Sequence, residues 1–168
     1  RLNIASADKL LFVADGARWI WRRVGELIDS LGLRRSRVYE VVDFYHAVEH
    51  LAKAAECKKN WKPSEKKRWL KKHRRLLFEG QIEAVIDAIR ALCRGRNSKG
   101  ISVERNYFIR NRHRMRYQTV SELNLPIGSG AMESAIRRVV NLRLKGASIY
   151  WLEKTAEAML MLRSYYKS

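Results

Sequence analysis

The chain is short of cysteine, of acidic residues and of long apolar runs, and each shortage excludes a class of protein. Cys57 and Cys93 are its only cysteines and no CxxC pair occurs, which excludes a disulfide framework and makes a reducing cytoplasm the simplest setting. No apolar run is long enough to span a bilayer and no signal peptide can be recognised, so we expect no membrane partner.

The scarcity of acidic residues leaves a strongly basic chain. There are 17 Asp and Glu against 35 Lys and Arg, a formal net charge of +18 over 168 residues. Self-repulsion at this charge disfavours a compact state, so we expect a polyanionic partner, with nucleic acid foremost. The alternative is a ribosome-like or otherwise non-specific basic protein. Hydrophobic residues make up 46% of the chain, which suffices for a core and excludes disorder by composition.

The N-terminal part predicts a strand, a helix, a second strand and a second helix. The first strand is a short apolar run that ends at a turn, and the second is rich in β-branched and aromatic residues. The order is typical of a parallel βαβ unit. The predicted spans are residues 10–14, 19–31, 38–44 and 46–55.

Helices predominate after the second strand. Residues 53–75 are basic with Trp61 and Trp69 interleaved, and His73 and His113 stand among basic residues, so we predict both histidines at the surface. Further helices are predicted over residues 81–92, 103–117, 131–144 and 148–166. The fold class is therefore α/β and predominantly helical. We divide it into a core segment at 1–52, a basic helical insertion at 53–120 and C-terminal core helices at 121–168.

Only two strands are predicted, whereas a stable parallel sheet needs more. We therefore expect strands to be supplied from elsewhere, or the chain to be a fragment whose N-terminal sheet is missing. Arg1 in place of an initiating Met favours the second expectation.

Two carboxylates occupy positions where a site could form. Asp15 directly follows the first predicted strand, where ligand groups gather in open α/β sheets, and Gly16 leaves it unobstructed. Glu133 lies in the first turn of a predicted helix, with Arg137 and Arg138 about one turn further on. Taken singly, each carboxylate also has a structural interpretation. Asp15 suits an Asx turn or helix cap, and Glu133 suits a helix N-terminus or an ion pair.

The segment from His46 to His50 matches the H-x-x-E-H pattern of inverted zinc metalloproteases. On a helix both imidazoles would face one side, as zinc requires, and a distant Glu would supply the third ligand. The pattern is short, follows a strand directly and stands in a short basic chain. A zinc protease is therefore the least favoured hypothesis.

Four short blocks stand in order along the chain: DGARWIW at residues 15–21, VDFYHAVEHL at 42–51, LPIGSGAMES at 125–134 and RLKG at 143–146. Their order and content resemble bacterial insertion-sequence transposases of the Mutator-like group, and the resemblance spans nearly the whole chain. It implies a partial ribonuclease H-like core with a helical insertion, and a DNA transposase of the Asp-Asp-Glu type.

The resemblance also implies roles for single residues. Asp15 matches the second acid of the family's metal-binding triad and Glu133 matches the third. Asp43-x-x-His46 matches the family's Cys/Asp-x-x-His element, which makes His46 a candidate active-site residue. No residue matches the first acid, so we expect this chain alone to be inactive.

The implied chemistry is Mg²⁺-dependent phosphoryl transfer on DNA, namely strand cleavage by water followed by strand transfer. Two Mg²⁺ ions about 4 Å apart would clamp the reacting oxygens, with Mn²⁺ as an alternative. The implied partners are transposon ends and target DNA, bound by a homo-oligomer in the cytoplasm at the nucleoid. The alternative is a non-catalytic nucleic-acid-binding remnant of a transposase.

The basic side chains are expected to contact DNA phosphates, which give affinity but do not read sequence. Trp61 or Trp69 is a candidate for stacking on an exposed base, although packing between helices is the commoner use of such residues. The expected phosphate contacts are Arg137, Arg138, Lys66, Lys67, Arg68, Lys71, Lys72, Arg74 and Arg75.

Overall fold

The computed structural model describes residues 4–93, 99–130, 134, 152, 155–156 and 158–159. The chain divides into two units, Arg1–Gly128 and Ser129–Ser168, and nearly all the described residues belong to the first. The helices predicted over 131–144 and 148–166 lie almost wholly outside the described residues. Within these two spans, residues 134, 155–156 and 158–159 are helical.

The first unit begins with the predicted βαβ arrangement. Strand β1 (Leu10–Ala14) is followed by helix α1 (Arg18–Ser30) and strand β2 (Val38–Val42). The strands pair in parallel with Leu10 opposite Val38 and Ala14 opposite Val42, so their carboxyl ends lie at one edge of the sheet. The parallel pairing confirms the prediction made from the order of the elements.

The ends of these elements follow local chemistry. Helix α1 stops before Gly32, whose φ of +59° lies in the left-handed region that glycine adopts without strain. Strand β2 is shorter than predicted. It ends at Val42 because Asp43 caps the next helix, so the prediction that the strand continues to Phe44 is wrong.

The rest of the first unit is helical. Helix α3 begins at Pro63. Proline suits a first helical position because a main-chain N–H there would make no hydrogen bond within the helix. The helix predicted over 103–117 is instead two helices. The first ends at Asn111. The side-chain amide of Asn111 donates to the Tyr107 carbonyl at 3.0 Å, so it competes with the main-chain hydrogen bonds that would continue the helix. The helices are α2 (Phe44–Glu56), α3 (Pro63–Phe78), α4 (Ile82–Ala91), α5 (Lys99–Asn111) and α6 (Tyr117–Glu122).

One hydrophobic core runs from the sheet through the helices. Leu51 of α2 is fully buried, and so are Leu77 of α3, Val85 of α4 and Phe108 of α5; Val42 at the end of β2 belongs to the same cluster. The predicted core segment and the predicted insertion therefore share one core. The described chain is mostly helical with two parallel strands, in keeping with the α/β class.

Two features of α3 and of the turn before it bear on the sequence predictions. His73 is buried, with 5% of its surface exposed, and its Nδ1 lies 2.7 Å from the Trp69 carbonyl; its prediction as a surface histidine is wrong. Trp61 and Trp69 are partly buried and pack against the core.

No helix in the described part of the chain is both long and apolar enough to cross a membrane.

Candidate functional site at the carboxyl ends of the strands

Two carboxylates follow the two paired strands directly. Ala14 and Val42 are opposite one another at the strand ends, and the N–H of Asp43 donates to the Ala14 carbonyl at 2.8 Å. Asp15 and Asp43 are thus the first residues beyond the sheet on neighbouring strands. This edge is where open α/β sheets bind ligands.

Asp15 is exposed and its turn is held by two hydrogen bonds. Its Oδ1 accepts from the Ala17 N–H at 2.8 Å, and its carbonyl accepts from the Trp21 indole N–H at 2.7 Å. The Asx turn considered from the sequence is therefore present. It engages one carboxylate oxygen and fixes the direction of the side chain, which remains accessible.

Asp43 is the N-cap of α2. It is buried, with 7% of its surface exposed, and its Oδ1 accepts from the main-chain N–H groups of Tyr45 at 2.8 Å and His46 at 3.1 Å. These bonds satisfy two donors that a helix start leaves unpaired. They also orient the first turn of α2, which carries His46.

His46 points from α2 toward α5. Its side chain is 37% exposed, and its Nδ1 lies 3.5 Å from a carboxylate oxygen of Glu49. The ring meets those of His50 and Tyr107 edge-on, with centroids 5.0 and 6.2 Å apart. His46 is thus a partly accessible imidazole one helical turn from Asp43.

His50 is tied to α5. Its Nδ1 lies 2.5 Å from Glu104 Oε2, and its ring stacks on Tyr107 at a centroid distance of 3.6 Å. Burial lowers the pKa of His50, although the hydrogen bond and charge of Glu104 act in the opposite direction.

The contacts of His50 also bear on the zinc-protease hypothesis. A distant glutamate does approach the second histidine, but it bonds the ring nitrogen directly. Among the described residues no three His, Cys, Asp or Glu side chains are grouped so that they could hold one metal ion. The zinc-protease hypothesis therefore gains no support from the described part of the chain.

Helix α5 brings two residues to this edge that the sequence did not indicate. A side chain on Gly16 would place its Cβ 2.4 Å from Tyr107 Cε2, so the ring lies directly against the turn after Asp15. Arg110 Nη2 lies 3.5 Å from the Gly16 carbonyl. Burial, then the negative charges of Asp15 and Asp43, raise the pKa of Tyr107, while Arg110 opposes them.

The LPIGSG block also reaches the end of β2. The N–H of Phe44 donates to the Ile127 carbonyl at 2.9 Å. A Cβ on Gly128 would lie 2.7 Å from the Tyr45 ring and 3.6 Å from Asp43 Oδ1. Glycine at position 128 therefore leaves room for the Tyr45 ring. Glu133, Arg137 and Arg138 lie outside the described residues.

The residues described at this edge fit a Mg²⁺ site in part. Asp15 offers an exposed carboxylate, and carboxylate oxygens are ligands that Mg²⁺ prefers. Asp43 Oδ1 already accepts two main-chain hydrogen bonds. Asp15 is therefore the described carboxylate at this edge that is open to a ligand.

The basic residues of α3 form two groups. Lys66 pairs with Glu56 at 2.5 Å, and Arg75 pairs with Glu79 at 2.7 Å. The others are exposed and, within the described part of the chain, form no ion pair: Lys67, Arg68, Lys71, Lys72 and Arg74.

Comparison of the chain with protein-family models, with curated proteins and with solved structures found no match.

Proposed function

We propose that the chain is the catalytic C-terminal part of a DNA transposase of the Asp-Asp-Glu type, with a ribonuclease H-like core and a helical insertion. One observation carries the proposal. Residues from three of the four transposase-like blocks meet at the carboxyl ends of β1 and β2, namely Asp15, the Asp43–His46 turn and Ile127–Gly128. The meeting of these blocks supports the proposal because this edge is where open α/β sheets bind ligands.

In this proposal Asp15 and Glu133 hold Mg²⁺, or Mn²⁺ in its place. When bound, the ions would neutralise charge on the attacking and leaving oxygens of an in-line displacement. The chain's own residues would hold the site's side chains in place. The Asx turn holds Asp15 in a fixed direction, and the Asp43 cap presents His46 at the same edge.

DNA is the proposed partner, as transposon ends and as target, bound by a homo-oligomer in the cytoplasm at the nucleoid. The net charge of +18 supports a polyanionic partner. The exposed lysines and arginines of α3 provide a row of phosphate contacts independent of base sequence. Arg137 and Arg138 are also proposed to contact phosphates, and for these two residues the proposal rests on the resemblance alone.

The first acid of the transposase triad has no counterpart in this chain. We therefore propose that the chain binds DNA, binds metal weakly and does not cut DNA by itself. The second candidate function is a non-catalytic nucleic-acid-binding remnant. It would keep the basic surface, with its net charge of +18, and lack the chemistry.

Metal binding separates these two functions. Mn²⁺ affinity should fall in Asp15→Asn and in Glu133→Gln, and should not change in the control Asp29→Asn, which alters an exposed acid paired with Arg35. Equal Mn²⁺ affinity in all four proteins would favour the remnant. Failure to bind DNA at low salt would overturn both functions.

Nicking of supercoiled plasmid with Mg²⁺ tests the expected inactivity. We expect no cleavage above background. Efficient cleavage that is lost in Glu133→Ala would show the inactivity prediction to be wrong and the active-site assignment to be right.

A further inference from the structure

A cavity of about 630 Å³ lies between α3 and α4, away from the strand ends. Its aromatic wall consists of Trp61, Trp69 and His73, and Ala88 and Ala91 of α4 also line it. The volume falls within the range of small-molecule sites, which run from about 300 to 1,000 Å³. The cavity is therefore large enough for a flat ring system with a substituent.

The rings of the aromatic wall contact one another. The Trp69 and His73 rings lie 4.0 Å apart at 32°, and the Trp61 and Trp69 rings lie 6.2 Å apart at 56°. The bond between His73 Nδ1 and the Trp69 carbonyl fixes the histidine further. Rings fixed in advance lose little side-chain entropy when a planar ligand stacks on them.

The rim of the cavity is positively charged. Lys58, Arg68 and Lys72 border it together with a single acid, Glu65. Arg68 and Lys72 stand on the same helix as the exposed Lys67 and Lys71. A strand whose phosphates follow this basic helix would pass the mouth of the cavity. Aromatic rings beside a basic track are the usual means of holding a single strand.

We propose that this cavity, which we call the α3–α4 pocket, binds one unpaired base of a DNA strand whose flanking phosphates contact Arg68 and Lys72. The inference rests on the proposed function, since it makes DNA the ligand. It goes beyond that function by assigning a second site, separate from the acidic residues at the strand ends. The expected ligand is a base already unpaired, because the pocket accepts a ring and not a duplex.

The test uses the full chain and a single-stranded oligonucleotide carrying 2-aminopurine, beside the same oligonucleotide with an abasic position. The wild-type protein should quench the 2-aminopurine emission. It should bind the abasic strand roughly tenfold more weakly than the intact one, the usual effect of losing one stacked base.

Ala91→Phe fills the pocket from α4 and should abolish both the quenching and the preference for the intact strand. The matched control is Ala84→Phe, which adds the same ring at an exposed position of α4 that does not line the pocket. A second variant, Lys72→Ala, alters the exposed rim and should weaken binding without affecting folding. Circular dichroism checks that each variant is folded.

Equal affinity for intact and abasic strands, with DNA still bound, would overturn the pocket and leave the proposed function standing. The same conclusion follows if Ala91→Phe behaves like Ala84→Phe. Loss of all DNA binding in the wild-type protein would overturn both. The affinities for an RNA strand and for free dAMP are measured in the same way. Tighter binding of either than of the DNA strand would overturn the assignment to DNA.

Discussion

The main-chain N–H of Asp43 donates to the Ala14 carbonyl at 2.8 Å, which extends the parallel pairing one residue beyond β2. The bond places the residue after each strand at the same edge. Asp15 is exposed there, whereas Asp43 is buried and caps a helix. Two carboxylates at equivalent positions therefore have different roles, one accessible to ligand and one structural.

The cap leads to a prediction about stability. Asp43→Ala removes the acceptor for the N–H groups of Tyr45 and His46 and should lower the free energy of unfolding by about 1–2 kcal/mol. Asp43→Asn keeps a side-chain oxygen and should lose less. Urea unfolding followed by circular dichroism measures both variants. A loss in Asp43→Asn as large as that in Asp43→Ala would contradict the capping role.

Gly16 has no room for a side chain. In Gly16→Ala the new Cβ would lie 2.4 Å from Tyr107 Cε2 and 2.5 Å from Asn111 Nδ2, so these side chains or the backbone around them must shift. We expect a loss of about 1–3 kcal/mol in the free energy of unfolding, the usual cost of overpacking. The matched control is Gly25→Ala in α1, where nothing lies within 4 Å of the new Cβ. That change should stabilise the protein by about 0.5–1 kcal/mol, and equal effects at both sites would refute the close contact.

The sequence predicted those parts of the fold that local chemistry decides. The apolar run before Asp15 indicated β1, and the order of the elements indicated its parallel pairing with β2. The predicted strand β2 was too long because aromatic residues, Phe44 and Tyr45, follow Asp43. The pattern of side chains did not reveal that Asp43 is a helix cap. Tyr107 was missed because its contact with Gly16 joins residues far apart in the chain, and only tertiary packing brings them together.

His73 shows a different kind of failure. Its immediate neighbours are basic, which favoured the surface, yet Trp69 and Leu77 stand four residues to either side. That spacing puts all three on one face of α3, so the helical period did carry the signal. Among the candidate site residues, the position of Asp15 could be predicted because the end of an apolar run in the sequence marks the end of a strand. Arg110 could not, because its approach to Gly16 depends on how α5 packs.

Buried histidines predict a pH dependence. Burial lowers the pKa of His73, and of His50, below the ordinary value of 6.5. The unfolded chain therefore takes up protons at a higher pH than the folded protein does. The stability contributed by the neutral rings is fully present above pH 6.5 and is lost as the pH falls through that value toward the lowered pKa values.

Urea unfolding at a series of pH values between about 5 and 8 measures this dependence. We expect the free energy of unfolding to fall toward the acidic end, and to fall less steeply in His73→Gln, which cannot take up a proton at that position. A free energy of unfolding that rises toward pH 5 would show that the rings are not held neutral in the folded protein.

The two groups of basic residues on α3 should differ in their effect on DNA binding. Lys67 and Lys71 are exposed and form no ion pair in the described part of the chain, whereas Lys66 and Arg75 are paired with acids. Removing an unpaired cation removes a phosphate contact. Each such loss should reduce the slope of log affinity against log salt by about 0.9 for duplex DNA.

The double variant Lys67→Ala/Lys71→Ala should therefore bind duplex DNA several-fold more weakly at about 0.1 M salt, with a slope smaller by about 1.8. The control, Lys66→Ala/Arg75→Ala, removes the same net charge from the same helix but takes cations already engaged by Glu56 and Glu79. Fluorescence anisotropy over a range of salt concentrations measures both slopes. Equal slopes in the two double variants would show that net charge governs DNA binding and that the exposed face of α3 has no special part in it.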